Sequence, residues 1–318
     1  MGKEALIVVD MQYMFHRHKY RIREEEEKRN GEPMLSFNGM ETARLYFAMK
    51  DFADIVAFAR SNNADMVVCL DSKTMRKDEN AEYKANRDKL QDRDLEALEN
   101  IEKVLRGSGF SVLKEDGYEA DDCIATVVAK KKAEYDAVLI FTPDSDLCVH
   151  IDDKVRVARY KSVYSKYGNK GRHLKFMDAH ALVNKERFAE YFSTEYKTRI
   201  PYNAMALYKA TVGDSSDHIP GIKGFGPKAF EKLIDTLEAN YVDFSEMVSY
   251  DRVEEHLKRC TTALGGIDKV KEALASLDLI RSRTCESIDR QVESVSYQLP
   301  SSEQFQSQLA VFGITSLK

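Results

Sequence analysis

The sequence has little proline (six residues in 318), five cysteines and no internal repeat. It also has no apolar run near the roughly 20 residues that a membrane helix needs. The last absence excludes a transmembrane helix, and the apolar part of MGKEALIVVD is too short for a signal peptide. Cys69, Cys123, Cys148, Cys260 and Cys285 are odd in number, far apart and in no CxxC pair, which argues against a disulfide framework and against zinc. They are expected to be reduced thiols in a cytoplasmic protein. A composition 43% hydrophobic and 32% charged suits a soluble globular chain of one large domain or two smaller ones. No Pro- or Ser-rich linker divides it, so any two parts are expected to pack closely. The net charge of -5 argues against nucleic acid as a partner, but local charge decides that question.

What is present is acid in places where acid is costly. Leu6–Val9, Met66–Leu70 and Val138–Phe141 read as buried strands, and between the first two the spacing of Leu45, Met49, Phe52, Ile55, Val56 and Ala59 predicts a helix over about 41–62. A second helix is expected over about 120–134. Alternating strands and helices predict an α/β fold with a mostly parallel central sheet flanked by helices, and such sheets bind ligands at the carboxyl ends of their strands. Asp10, Asp71 and Asp144 all fall at those ends. Glu119, Asp121 and Asp122 open the second helix. One acid there would satisfy the free N–H groups of a helix start, whereas three suggest a hard cation. Asp146 follows Asp144, and Asp214 and Asp217 precede a Gly-rich turn. Carboxylates gathered in this way repel one another unless cations sit between them, so a multi-metal phosphoryl-transfer site is the first expectation.

Two further segments carry charge or glycine. Lys154–Lys175 contains eight basic residues, Arg172 among them, three tyrosines and no acid. Its alternating start predicts a basic hairpin, either a lysine-protected sheet edge or, as favoured here, a phosphate-backbone surface. In VGDSSDHIPGIKGFGPKAF (212–230), Gly221, Gly224 and Gly226 allow close backbone approach, and Pro227 suits a first helical turn. That arrangement aims free N–H groups at a phosphate, with Lys228 adding charge. Residues 11–40 read as a long loop with a basic run, HRHKYRIR, that either touches DNA or is disordered. Glu24–Glu27 read as a solvated part of it. Residues 72–105 mix both charge signs and read first as a solvated helix. From about 186 onward the pattern is helical.

Asp10, Asp71, EYKANR (82–87), YEADD (118–122), TPDSDL (142–147) and GDSSDHIPGIKGFGP (213–227) resemble, in order and spacing, the structure-specific 5′-nucleases. That family includes flap endonucleases, the 5′–3′ exonuclease domain of DNA polymerase I and free-standing bacteriophage 5′-exonucleases. The resemblance runs from the first strand to about residue 235. It implies a PIN-like fold with an α/β nuclease domain over 1–185, a helical arch over about 72–105 and a helical DNA-binding domain over 186–318. A helix–three-turn–helix is implied at about 203–235.

The resemblance also implies roles. Two or more Mg²⁺ ions, with Mn²⁺ as a substitute, would be held by Asp71, Glu119, Asp121, Asp144, Asp146, Asp214 and Asp217, helped by Asp10. Asp122 would act near the metals through water. Lys84 and Arg87, spaced to share a helix face, would contact the scissile phosphate, and Tyr83 would stack on a base. Gly221, Gly224, Gly226 and Lys228 would meet duplex DNA, and a K⁺ ion would rest on carbonyls near Ile222 and Phe225. His218, where the family commonly has Asn, is expected to form local hydrogen bonds. The implied partners are branched or nicked DNA with a 5′ single strand, RNA–DNA hybrids, and a single-strand-binding protein or polymerase. The implied setting is a monomer without membrane attachment, in the host cytoplasm if phage-encoded, acting in replication or repair. Two alternatives stay open: a catalytically weak junction-binding relative and a PIN-type ribonuclease.

Overall fold

The structure, a computed structural model, describes residues 3–160, 180–240, 242–247 and 249–317. Its strands are β1 (Lys3–Asp10), the small hairpin β2 (Ser36–Phe37) and β3 (Met40–Glu41), β4 (Asp65–Cys69), β5 (Val112–Leu113), β6 (Tyr135–Phe141), β7 (Val155–Tyr160) and β8 (His180–Val183). Six form one sheet in the order β5–β4–β1–β6–β7–β8, parallel throughout except for the antiparallel edge strand β8. The chain builds outward from β1 to β4 and β5, then returns to the other side with β6. A strand order that reverses beside β1 opens a crevice at the carboxyl ends of β1, β4 and β6.

The helices of the first part are α1 (Met11–Lys28), α2 (Ala43–Ser61), α3 (Arg76–Glu79), α4 (Asp92–Gly107) and α5 (Ala120–Lys131). The apolar run of β1 is explained by burial on both faces. Leu6 and Val8 join a core formed with α5 and the helices of residues 188–294; Ile7 and Val9 join one formed with α1, α2 and α4. The last helix, Ser302–Ala310, returns to this second layer, where Phe305 meets Phe52 and Phe110 edge-on at centroid distances of 5.9 and 5.4 Å. Such pairs contribute about 0.5–1.5 kcal/mol each beyond area burial.

Residues 11–28 are helix rather than loop. Met11, Met14, Phe15 and Ile22 are buried, but Lys19 and Glu26 are buried among them and interrupt the apolar stripe that would have marked a helix. Glu26 in turn is no solvated residue. Its carboxylate accepts two hydrogen bonds from Arg44, at 2.9 and 2.8 Å, and Arg44 Nε donates to Asp94 at 2.8 Å. Arg44 and Asp94 side chains are both 0% exposed. Arg44→Ala would leave both acids buried with part of their countercharge gone, and should lower the unfolding free energy by about 3–5 kcal/mol in denaturant titration. An unchanged midpoint would show that this network contributes nothing.

Within residues 72–105, where the arch is expected, the structure has α3, a chain of turns and the greater part of α4. Of this stretch α4 belongs to the core, with Ala97, Ile101, Val104 and Leu105 buried. What remains is the four-residue α3 and a chain of turns. Asn80 Oδ1 accepts the Glu82 N–H at 3.0 Å and starts an Asx-type turn, a local bond that competes with helix.

Candidate metal centre

Each strand that ends at the crevice delivers a carboxylate. Asp10 closes β1 and caps α1; its oxygens accept from Thr142 Oγ1 at 2.9 Å and from the Tyr13 N–H at 3.3 Å. Asp71 follows β4 and accepts the Ala120 N–H at 2.7 Å, which docks α5 against the strand end. Glu119 is the N-cap of α5, so Asp121 is carried in the first helical turn. The loop after β6 is fixed twice. Thr142 Oγ1 accepts the Asp144 N–H at 3.1 Å, and Arg159 donates to the Pro143 carbonyl at 3.0 and 2.7 Å. Arg159 was expected as a surface cation of the basic run, yet it is 8% exposed and serves this loop. Asp214 and Asp217 lie in a tight turn closed by two backbone bonds of 2.9 Å between Asp214 and Ile219.

Oxygens of Asp144, Asp146 and Asp217 all come within 4.8 Å of one another. Burial raises Asp10 to about 7, reinforced by repulsion from Asp71 and Asp144. Asp146 is likewise raised to about 7 by burial, with Asp144 and Asp214 adding to it. Burial raises Asp71, and burial with repulsion from Asp144 and Asp10 raises Asp121. The donor set is oxygen only and too crowded to carry its charge alone, which fits a hard divalent cation. Among these carboxylates, Asp144, Asp146 and Asp217 come close enough to share one ion.

Four basic side chains stand among these acids, and the sequence pointed to only two. Lys84 Nζ lies 2.8 Å from Glu119 and 3.9 Å from Asp217, and Arg87 lies 2.5 Å from Asp217. They do not share a helix face: Lys84 has φ 53°, and its N–H donates to the Asp217 carbonyl at 3.1 Å. Lys209, 3% exposed, reaches Asp146 at 2.5 Å, Asp214 at 2.8 Å and Asp144 at 3.7 Å. Burial works against ionised Asp144 and Asp214, but this ammonium outweighs it and holds both below the usual range. The available signal was a lone lysine in the otherwise uncharged helix Met205–Val212. Arg76 pairs with Glu119 and with Asp122 at 2.6 Å, and nothing in its charged surroundings set it apart.

Three expected roles need correction. Asp122 is 1% exposed and its oxygens are committed to the Glu119 N–H (2.9 Å), the Arg283 N–H (2.6 Å) and Arg76, so it braces the site. Tyr83 is 4% exposed and donates its hydroxyl to Glu119 at 3.0 Å, which leaves no open ring for a base. Gly221 is buried: a Cβ there would lie 2.5 Å from the Gly213 nitrogen, and its N–H donates to Ser276 Oγ at 3.0 Å. Its glycine serves backbone packing rather than DNA contact. Gly224, Gly226 and Lys228 do reach the surface, with Pro227 opening the helix Pro227–Ala239 and Lys197 lining the same groove. The His218 ring lies 3.2 Å from the Glu82 carbonyl, a long-range contact with the turn before Lys84 rather than the local bond expected. Arg172 and the basic residues from 161 to 175 lie outside the described residues.

The raised acids predict a pH dependence for the metal-free chain. Asp10 and Asp146 bind more protons folded than unfolded between their ordinary value of 3.8 and about 7, so their contribution to stability falls as pH rises through that window. Burial holds His16 and His150 at about 4, which acts in the opposite sense below 6.5. Above 6.5 the carboxylates dominate. Tm in EDTA should drop from pH 6.5 to 8, and saturating Mg²⁺ should remove most of the drop. A Tm flat with pH and indifferent to Mg²⁺ would contradict this electrostatic picture.

Residues 5–192 match the family described as 5′–3′ exonuclease, N-terminal resolvase-like domain. A Bacillus subtilis 5′–3′ exonuclease is 32% identical over 255 residues, covering 78% of this chain and 73% of that protein. A Mycoplasmopsis pulmonis 5′–3′ exonuclease is 25% identical over 256 residues, covering 80% and 74%. DNA polymerase I of Treponema pallidum is 28% identical over 202 residues, but the chain spans only 18% of that polymerase. Among solved structures, a bacteriophage T5 flap endonuclease in a pseudo-enzyme–product complex with DNA and metal ions shares the fold. Its TM-score is 0.53 at 17% identity, over 99% of this chain and 95% of that one.

Proposed function

Because the chain belongs to the 5′–3′ exonuclease family, we propose that it is a Mg²⁺-dependent, structure-specific 5′-nuclease. It hydrolyses phosphodiesters near single-strand/duplex junctions, as exonuclease and flap endonuclease. The observation that carries this reading is the convergence of Asp10, Asp71, Glu119, Asp144 and Asp217, from five separate parts of the chain, beside Lys84 and Arg87. Asp71, Glu119, Asp121, Asp144, Asp146, Asp214 and Asp217, with Asp10 in support, would hold Mg²⁺ ions, with Mn²⁺ as a substitute, and these would supply Lewis acidity toward the attacking water and the leaving 3′-oxygen.

The chain's own residues do the rest. Lys84 is held over Glu119 and Asp217 by its turn, so the scissile phosphate meets an ammonium already in place, at no cost of reorganisation. Arg87, whose side chain is half exposed, can exchange Asp217 for that phosphate. Arg76 and Asp122 keep Glu119 oriented. On the duplex side, Gly224, Gly226 and Lys228 present the start of the helix Pro227–Ala239 to a backbone phosphate. A K⁺ ion beside Ile222 and Phe225 belongs to the same reading; the Ile222 carbonyl accepts the Phe225 N–H at 2.9 Å and keeps a second lone pair. Contacts of this kind select shape rather than sequence. The reading places a nuclease domain at 1–185 and a DNA-binding domain at 186–318. Its role is primer or flap removal in replication or repair by a cytoplasmic monomer, with RNA–DNA hybrids as further substrates and a polymerase or single-strand-binding protein as partner.

End-labelled flap, nicked and RNA–DNA hybrid substrates in Mg²⁺ test this. Release of the 5′ strand at or beside the junction is expected. Tight flap binding without cleavage would overturn it in favour of a junction-binding relative, and cleavage confined to single-stranded RNA in favour of a PIN-type ribonuclease.

A further inference from the structure

The family match ends at residue 192, yet the chain well beyond it touches the carboxylate cluster from behind. Two helices form this backing, Tyr250–Arg259 and Ile267–Ile280, and the irregular segment 281–284 follows the second. Tyr250 opens the first helix, is 7% exposed and shares the core of Leu147 and Cys148. Its hydroxyl donates to the Asp146 carbonyl at 3.2 Å. With Arg159 on the Pro143 carbonyl, the loop Pro143–Asp146 is thereby held at both ends. The segment after the second helix grips the acids of α5. The Arg281 carbonyl accepts from Arg76 at 2.9 Å, and the Arg283 N–H donates to Asp122 at 2.6 Å. Arg76 and Asp122 in turn hold Glu119. The Arg281 side chain runs back to the first helix, where it pairs with Asp251 at 2.7 Å and with Glu254. One connected set of bonds therefore joins Asp146, after β6, to Glu119 and Asp122 at the start of α5.

These two groups of acids have reason to part. Carboxylates crowded without a cation repel one another, and a loop that carries two of them relaxes outward unless it is held. A relaxed loop must be drawn back before Asp144, Asp146 and Asp217 can share an ion, and that cost lowers the affinity for the ion. A loop held in place is preorganised for it. We propose that Tyr250 is a positioning residue of the metal centre. Through the Asp146 carbonyl it fixes the loop after β6 to the backing that also holds Glu119 and Asp122, so the acids are set for cations before these arrive. This rests on the metal-dependent reading above and gives a task to a part of the chain outside the family match. The competing account is a hydroxyl that merely satisfies one carbonyl, as Ser276 Oγ satisfies the Gly221 N–H.

The full-length chain, free of DNA, is titrated with Mn²⁺, and the unbound ion is read by electron paramagnetic resonance. Tyr250→Phe keeps the ring in the core and removes only the bond to Asp146. It should weaken Mn²⁺ binding by about tenfold. Its Tm in EDTA should move little, because relief of repulsion among the acids offsets the lost bond. Ser276→Ala, in the same helical backing, should do the reverse: Tm in EDTA falls and Mn²⁺ affinity stays at the wild-type value. Flap cleavage by Tyr250→Phe should need more Mg²⁺ yet approach the wild-type rate at saturation. Unchanged Mn²⁺ affinity in Tyr250→Phe, or an equal loss in Ser276→Ala, overturns the inference. So does a Tyr250→Phe chain that fails to fold, since the hydroxyl is then a structural bond alone. A wild-type chain that binds no Mn²⁺ sinks the metal-dependent reading itself, whereas wild-type binding without a Tyr250 effect sinks only the positioning role.

Discussion

Asp146→Asn is expected to slow Mg²⁺-dependent cleavage of a 5′-flap substrate by about a thousandfold or more while binding of the same DNA in Ca²⁺ survives. Asp146 sits where the loop after β6 meets Lys209 and Asp144, and three carboxylates there, its own included, come within 4.8 Å. Removing one negative charge leaves the Lys209 ammonium facing Asp144 and Asp214 alone, so the site's pull on a divalent ion weakens. Duplex contacts proposed for Gly224, Gly226 and Lys228 involve none of these atoms and should persist. Undiminished single-turnover cleavage would contradict the metal assignment. Loss of DNA binding in Ca²⁺ would show that Asp146 shapes the fold instead.

Lys84→Ala is expected to reduce the cleavage rate by about a hundredfold but to weaken DNA binding by no more than about threefold. The asymmetry follows from where the side chain is held. Its side chain is 10% exposed and its ammonium is fixed between Glu119 and Asp217, so it meets the phosphate at the reacting centre and adds little to the long backbone interface. The substitution is neutral for the backbone, because lysine and alanine are equally strained at φ 53°. Equal losses in rate and affinity would make Lys84 an ordinary phosphate contact.

Local pattern made some of this legible and long-range pairing hid the rest. The apolar strands, and the acids that end them, were readable because a parallel sheet buried on both faces leaves few places for a carboxylate except its edge. The direction of Asp10, Asp71 and Asp144 toward one crevice followed from strand order alone. Helix α1 was not readable, since Lys19 and Glu26 occupy its buried face, and Glu26 is explained by partners on other helices, Arg44 on α2 and Arg93 on α4. The turns between α3 and α4 were hidden for a related reason: the apolar stripe of α4 lies behind a run of mixed charge, and only the Asn80 side chain marks where the chain turns. Lys209 and Arg76 show the same limit. Each is defined by acids from other elements, a pairing that no spacing within its own segment announces. Gly221 taught the opposite lesson, because a glycine that looked like an opening for phosphate turned out to be a contact between two backbones.

The most direct test is a crystal of the full chain soaked in Mn²⁺ and measured at the manganese edge. The account predicts anomalous peaks inside the carboxylate cluster, one of them bounded by Asp144, Asp146 and Asp217, and their weakening in Asp146→Asn. A well-ordered site with no peak among these carboxylates at saturating Mn²⁺, Lys209 still pairing Asp146 and Asp214, would contradict it.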